Sequence, residues 1–328
     1  MKIGIVGGTG NISTSIVRLL VQQGHEVVCF NRGQRSPSAA GVRVIVGDRA
    51  NAAEFERAMQ REKFDAAIDM ICFNAEQAQS SVRAFRGVKH FVHCSTVCTY
   101  GVRYDALPVT EDHPLRAITD YGRNKVAADM VYGTAYRAEG FPVTIIKPST
   151  TYGPQMGMLR QVAWDFGWID RVRKGKPILV CDGGRARHQF LHVDDAALGF
   201  AGVLGKPQCI GQIYNLMRSE DISWTDYHQL AMQVLGREVR LVSVPLAALA
   251  ADRFDICKTI FAYDCVYSPA KLQRDVPEFR PVISLEAGMK QVIEAMDREK
   301  RVPNSDSDTW EDTIIQSTAD LTSSGTEF

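Results

Sequence analysis

The sequence predicts an α/β protein, a doubly wound parallel sheet followed by a smaller C-terminal lobe. Three observations carry that expectation. Apolar strand-like runs alternate with amphipathic helical runs from the first residue. A glycine-rich turn joins the first strand to the first helix, and the alternation loosens after Pro148. Strands separated by whole helices need parallel crossovers, because a tight turn joins only antiparallel neighbours.

The elements follow in order. Ile3–Val6 is a short apolar strand, Gly7-Gly8-Thr9-Gly10 the turn, and Ile12–Gln23 the first helix, with apolar residues recurring on one face. Glu26–Phe30 and Arg43–Val46 read as strands because they are β-branched and apolar. The helix Ala52–Gln60, strand Ala66–Ile71, helix Ala75–Phe85, strand His90–Cys94, helix Tyr121–Glu139 and strand Pro142–Ile146 continue the alternation. Further on come an aromatic-rich helix from Trp164 to Arg173 and a Gly-rich turn at Asp182-Gly-Gly184. The expected organisation is a dinucleotide-binding domain at 1–154 and a mainly substrate-binding lobe at 155–302. Within the latter, 188–215 returns to the first domain, and 303–328 forms a polar, loosely held tail with Trp310 and Ile314-Ile315 as its candidate docking residues.

Composition excludes several classes. Lys+Arg and Asp+Glu both number 38, so zero net charge offers nothing to a phosphate backbone, and no nucleic-acid partner is expected. No apolar run approaches the ~18–20 residues of a membrane span, and the opening Met-Lys-Ile-Gly-Ile-Val reads as a strand rather than a leader. The eight cysteines lack CxxC pairs and read as reduced thiols, so a cytoplasmic location is expected. His188, His192 and Asp194-Asp195 have no third and fourth ligand spaced to complete a site, so no metal is expected.

Two features carry chemistry. In Gly7-Gly8-Thr9-Gly10-Asn11-Ile12, the glycines let the backbone approach a pyrophosphate that then sits at a helix N-terminus, the Rossmann arrangement. Asn31-Arg32 stands where an acid usually binds the adenosine ribose. Asn31 can bond that ribose and Arg32 can pair with a 2′-phosphate, so NAD or NADP is expected, with a lean to NADP from Arg32. Asp48 is placed to accept from the adenine amine or, alternatively, to cap the next helix. Arg49, Met70, Ile71 and Pro148 complete the candidate cofactor set. The second feature is Tyr121 four residues before Lys125, on one helix face, downstream of Ser95-Thr96. An adjacent ammonium favours the phenolate, so the pair can remove a hydroxyl proton near neutrality, and with a dinucleotide that means hydride chemistry.

With those residues in hand, the chain resembles the extended short-chain dehydrogenase/reductase family, the nucleotide-sugar epimerases and dehydratases. The motifs are Gly7-Gly-Thr-Gly10, Ser95-Thr-Val-Cys-Thr-Tyr-Gly101, Thr110-Glu-Asp-His-Pro114, Tyr121-x-x-x-Lys125, Lys147-Pro-Ser-Thr-Thr-Tyr-Gly-Pro154, Phe190-Leu-His-Val-Asp-Asp195 and Gly211-Gln-Ile-Tyr-Asn215. The early glycine stretch also looks like a branch that includes chloroplast stem-loop RNA-binding proteins.

The resemblance implies that Thr96 bonds the substrate hydroxyl, Tyr121 is the base and also touches the cofactor, and Lys125 binds the nicotinamide ribose. It further implies a homodimer through Ala75–Phe85 and Tyr121–Glu139. Val97-Cys98 stands where the dehydratases carry an Asp-Glu pair, which disfavours dehydration. Cys98 matches an acid/base cysteine of certain epimerases, or else is a packed thiol. Thr150, Arg185 and Arg187 join Thr96 and Cys98 as candidate substrate contacts, with the arginines suited to phosphate. Lys147 replaces the arginine usual before Pro148. The implied activity is a nucleotide-sugar epimerase working through a transient keto intermediate. The alternatives are a sugar or carbonyl reductase and a non-catalytic RNA-binding protein.

Overall fold

The computed structural model describes residues 1–323, so positions 324–328 of the expected tail lie outside the described residues. Two compact units divide the chain. The first comprises Met1–Thr151, Phe190–Ser219 and Tyr267–Ile283; the second comprises Tyr152–Gln189, Glu220–Val266 and the chain from Ser284 onward.

The first unit is built on a seven-stranded parallel sheet. Its strands are β1 (Lys2–Val6), β2 (Glu26–Asn31), β3 (Arg43–Val46), β4 (Ala66–Asp69), β5 (His90–Cys94), β6 (Val143–Pro148) and a last strand, Ile213–Leu216. Across the sheet they run Ile213–Leu216, β6, β5, β4, β1, β2, β3. The register pairs Ile3 with Val27 and Ala66, Ala66 with His90, and Ile145 with Ile213. The chain winds outward from β1 in two directions, so a crevice opens at the carboxyl ends of β1 and β4, where strand order reverses.

The helices α1 (Asn11–Gln22), α2 (Ala52–Glu62), α3 (Ala75–Ala84) and α4 (Asp120–Glu139) cover the sheet. Ile16, Val17 and Leu20 of α1 join Phe200 and Leu216 in one core layer. Phe55, Phe85, Phe91, Tyr132 and Phe141 form the other. A side chain of this size stabilises by roughly 1.5–3 kcal/mol when fully buried.

Several boundaries differ from the sequence reading, each for a local reason. β4 stops at Asp69 rather than Ile71, because the Asp69 carboxylate accepts the Ile71 amide at 3.1 Å and turns the chain. The aromatic-rich helix begins at Trp168 rather than Trp164, since Asp165 accepts the Gly167 amide at 2.7 Å. Tyr267–Ile283, expected in the smaller lobe, packs in the first unit. There Lys271 donates to the Ile213 carbonyl at 3.0 Å, and Asp195 accepts the amides of Val282 and Ile283 at 3.1 and 3.0 Å.

The stretch read as a loosely held tail carries a helix, Trp310–Ser323. Glu311 is buried there and accepts from Arg160 Nη1 at 2.7 Å and Nη2 at 2.5 Å, while the Leu179 amide donates to it at 2.7 Å. Trp310 lies between Arg160 and Arg253, whose guanidinium carbons are 5.3 and 5.1 Å from its ring centre. Trp310 docks as the alternative reading allowed, and what polar composition concealed is the Glu311 carboxylate anchor.

Candidate active site

The glycine turn sits at the strand-order reversal and admits no side chain. A Cβ on Gly7, whose φ is +85°, would meet Ile71 Cγ2 at 2.6 Å, and one on Gly8 would meet Cys29 Sγ at 2.4 Å. The cavity above it has a volume of about 540 Å³, and Gly7, Thr9, Gly10, Asn31, Arg32 and Ile71 are among the residues lining it.

The donor set fits a dinucleotide. Asn31 is buried; its Oδ1 accepts the Gly33 amide at 3.0 Å, while its Nδ2 has no partner among the described residues. A buried amide donor left open beside the cavity is free to bond a ligand oxygen, as a ribose hydroxyl would require. Arg32 and Arg35 are exposed at the rim and form no ion pair among the described residues. Asp48 also lines the cavity; its Oδ1 accepts the Ala50 amide at 2.9 Å, and Asn51 rather than Asp48 caps α2. Arg49, expected at the cofactor, commits half its guanidinium elsewhere. It pairs with buried Asp69 at 2.9 Å and donates to Ser81 at 2.7 Å. Asn11 and Ile12 form the first turn of α1, the Met70 amide bonds the Val6 carbonyl at 3.0 Å, and Pro148 ends β6 opposite Leu216.

Tyr121 and Lys125 stand on the first turns of α4, which Thr119 caps by accepting the Gly122 amide at 3.0 Å. A Cβ on Gly122 would lie 2.7 Å from the Cys98 carbonyl, so the missing side chain lets this end of α4 press on the turn after β5. That turn runs Val97–Thr99, with Thr96 at its head accepting the Cys98 amide at 3.2 Å. Lys125 is 1% exposed and donates to the carbonyls of Cys72 and Cys94, both at 2.7 Å. Its ammonium lies 5.9 Å from the Tyr121 ring centre and 5.0 Å from that of Phe73.

The expected depression of the Tyr121 phenol by Lys125 is not what this arrangement produces. Burial of the hydroxyl pushes it above its ordinary value, and the Cys94 and Cys98 thiols add to the rise. Hydrogen bonding to Thr96 acts in the opposite direction. The ring itself is 46% exposed, so only the hydroxyl end is sequestered. Lys125 spends its donors on backbone oxygens, which leaves Thr96 as the neighbour that favours the phenolate.

Cys98 is half-buried, and burial pushes its thiol up despite the opposing hydrogen bond to Thr96. Such a thiol stays protonated and is a poor base. Thr150 opens the short strand Thr150–Tyr152. In the second unit, Arg187 does not offer a free guanidinium as expected, because it pairs with Asp221. Arg185, two residues earlier, is exposed and has no ion pair among the described residues. His192 caps the helix Val193–Val203 by accepting the Asp194 amide at 3.2 Å, while His188 bonds the Tyr263 carbonyl at 3.0 Å.

Sequence reading missed Asp129. It lies one turn beyond Lys125 on the same face of α4, buried, with Lys147 Nζ 2.7 Å from its Oδ2. Burial pushes its carboxyl up, but Lys147 and His93 hold it down at about 2. The signal was available in the spacing 121, 125, 129, which continues the inward face of the helix.

Comparisons with known proteins show the family and the fold. The family model described as the NAD dependent epimerase/dehydratase family matches residues 3–85 and 74–216. The 2'-dehydrokanamycin reductase of Streptomyces kanamyceticus is 28% identical over 85% of this chain and 80% of its own length. The chloroplast stem-loop binding protein of 41 kDa b from Arabidopsis thaliana is also 28% identical, over 66% of this chain; the chain spans 58% of that protein. Among solved structures, the UDP-glucose 4-epimerase of Thermotoga maritima with UDP-glucose superposes with a TM-score of 0.75. It is 18% identical, over 92% of this chain and 100% of that one, a likeness of fold. With its glycine turn, crossed parallel sheet and Tyr-x-x-x-Lys helix, the chain belongs to the NAD dependent epimerase/dehydratase family.

Proposed function

We propose that this chain epimerises a nucleotide-linked sugar, through a ketone formed transiently at one ring carbon. The observation that supports it is Tyr121 and Lys125 on one face of α4, with Thr96 hydrogen-bonding the phenol and Lys125 5.0 Å from the ring centre of Phe73, which lines the glycine-turn cavity. Bound NAD(P) supplies the hydride acceptor. Tyr121 takes the proton of the sugar hydroxyl, Thr96 holds that hydroxyl and favours the phenolate, and Lys125 fixes the pocket wall through Cys72 and Cys94. The protonated Cys98 thiol supports return of hydride to the opposite face over inversion driven by a thiolate.

The cofactor sites assigned here are Gly7, Thr9, Asn31 and Arg32, with Arg32 and Arg35 favouring NADP. Arg185 is the arginine that remains open for a substrate phosphate. The free cysteines support a reducing, cytoplasmic setting. A homodimer through α3 and α4 is part of the same reading, supported by Met130, which is 64% exposed on α4. Intact Thr96, Tyr121 and Lys125, with zero net charge, weigh against an RNA-binding role.

A second reading, net reduction of a keto sugar, is favoured by the similarity to the 2'-dehydrokanamycin reductase. Mass spectrometry of small molecules released from the denatured protein separates the two. Retained NAD(P) supports the epimerase; an empty protein that steadily consumes NAD(P)H supports the reductase. Salt-sensitive RNA affinity without either behaviour would overturn both.

A further inference from the structure

A fully buried polar network lies behind the turn that carries Thr96. Lys147 Nζ, from β6, donates to Thr99 Oγ1 at 2.6 Å and to Asp129 Oδ2 at 2.7 Å. Ser95 Oγ donates to the same Asp129 oxygen at 2.9 Å, and Thr99 Oγ1 donates to the Thr96 carbonyl at 2.9 Å. His93 Nε2, from β5, is 3.3 Å from the other carboxylate oxygen, and the Tyr100 ring centre is 5.0 Å from Lys147 Nζ. The residues immediately before Thr96 and three after it are thus tied to one ion pair. Asp129 belongs to α4, the same rigid helix that carries Tyr121 and Lys125.

A buried ion pair is weak evidence for stability, since desolvating two charges offsets most of their attraction. Its geometric effect is a different matter. Lys147 and Asp129 span three elements, β6, α4 and the 95–99 turn, and leave the turn one position relative to the helix. The backbone ties the turn to β6 and to the 116 loop, through the Ser95 amide on the Ile146 carbonyl at 2.7 Å and the Arg116 amide on the Thr99 carbonyl at 3.1 Å, whereas the buried tie to α4 runs through Asp129.

We propose that Asp129 and Lys147 are a positioning pair that sets the Thr96 hydroxyl against the Tyr121 phenol. The role in catalysis rests on the reading of Tyr121 as the base, but the positioning itself does not. The groups that act on the Tyr121 hydroxyl are the thiols of Cys94 and Cys98 from β5 and its turn, Thr96, and Asp129 from α4, while Lys125 Nζ lies 5.9 Å from the ring centre. Of these, Thr96 is the one whose hydrogen bond the pair adjusts. The small shift of a hydroxyl in such a site matters, since a misplacement of about 1 Å costs on the order of a hundredfold in rate.

The test is carbon NMR of protein labelled at the ζ carbon of tyrosine, with the Tyr121 signal assigned by its loss in Tyr121→Phe. Thr96→Val defines the shift that accompanies loss of the hydrogen bond. Asp129→Asn/Lys147→Gln, which removes both charges while keeping shape, is expected to move the Tyr121 signal in the same direction. Thr99→Val, which removes the hydroxyl joining Lys147 to the Thr96 carbonyl and leaves the Lys147–Asp129 contact in place, is expected to move it likewise and carries the test if the double variant fails to fold. An unmoved signal in a folded variant, where Thr96→Val moves it, overturns the positioning pair. A Tyr121→Phe variant that keeps full turnover instead defeats the base assignment, and the NMR result stands apart from it.

Discussion

Lys125 Nζ lies 5.9 Å from the centre of the Tyr121 ring, yet its hydrogen bonds go to the carbonyl oxygens of Cys72 and Cys94. The lysine is therefore a strut between the chain ends after β4 and β5 as well as a charge beside the phenol. The separation of those two roles organises the first predictions.

Tyr121→Phe removes the proton acceptor and little else, because the ring is half exposed and the cavity lining is untouched. Turnover is expected to fall by about 10²–10⁴-fold. Dinucleotide affinity, measured by fluorescence titration, is expected to stay within a factor of two or so of the parent, since Tyr121 is not among the residues lining the glycine-turn cavity. Full retention of rate would refute the assignment.

Lys125→Met has a different signature. It strips donors from two buried carbonyls, each costing roughly 1–3 kcal/mol when left unsatisfied. Calorimetry should show a clear drop in Tm together with loss of activity, whereas Tyr121→Phe should leave Tm almost unchanged. Equal Tm values for the two variants would contradict the strut.

Arg32→Ala tests cofactor choice. Arg32 is exposed at the cavity rim and forms no ion pair among the described residues, so its removal costs no structural contact. The Kd for NADP is expected to rise by about tenfold, the scale of one charge-assisted phosphate contact, while that for NAD stays level. A parallel loss for both cofactors would show that Arg32 does not read the 2′-phosphate.

Acid sensitivity should begin near neutrality. Burial holds His90 neutral with a value near 4, and His188 and His228 with values near 3. The unfolded chain titrates these rings near ~6.5, so between that pH and 4 the unfolded state binds more protons and stability falls as pH falls. Their contribution is complete above ~6.5. Asp129, held at about 2, acts in the same direction over a lower pH range. Its folded value lies below the unfolded ~3.9, so the stability it adds is present above that pH and is lost as pH falls towards 2. Thermal melts from pH 7 to pH 4 should show a falling Tm, and a flat profile would contradict the buried neutral histidines.

Glu311→Ala leaves the fully buried Arg160 without its main partner. Breaking a buried pair in this way costs roughly 3–5 kcal/mol. Limited proteolysis should then cut within 303–323, where the parent resists. A variant as resistant as the parent would mean that the helix Trp310–Ser323 is held chiefly by Trp310.

The family, the parallel sheet and the placing of Tyr121 and Lys125 on one helix face were legible in the order of residues, because they depend on local periodicity and fixed spacing. Gly7 and Gly8 announced a close backbone approach for the same reason. What tertiary structure alone decided were the partners of charged groups. Arg187 is spent on Asp221, Arg49 on Asp69, Lys125 on two carbonyls, and Glu311 on Arg160 across 151 positions of chain. A charge costs too much to bury unpaired, so its destination is set by whichever opposite charge or carbonyl the fold brings within reach. That choice is made by contacts distant in sequence, and it turned an expected loose tail into an anchored helix.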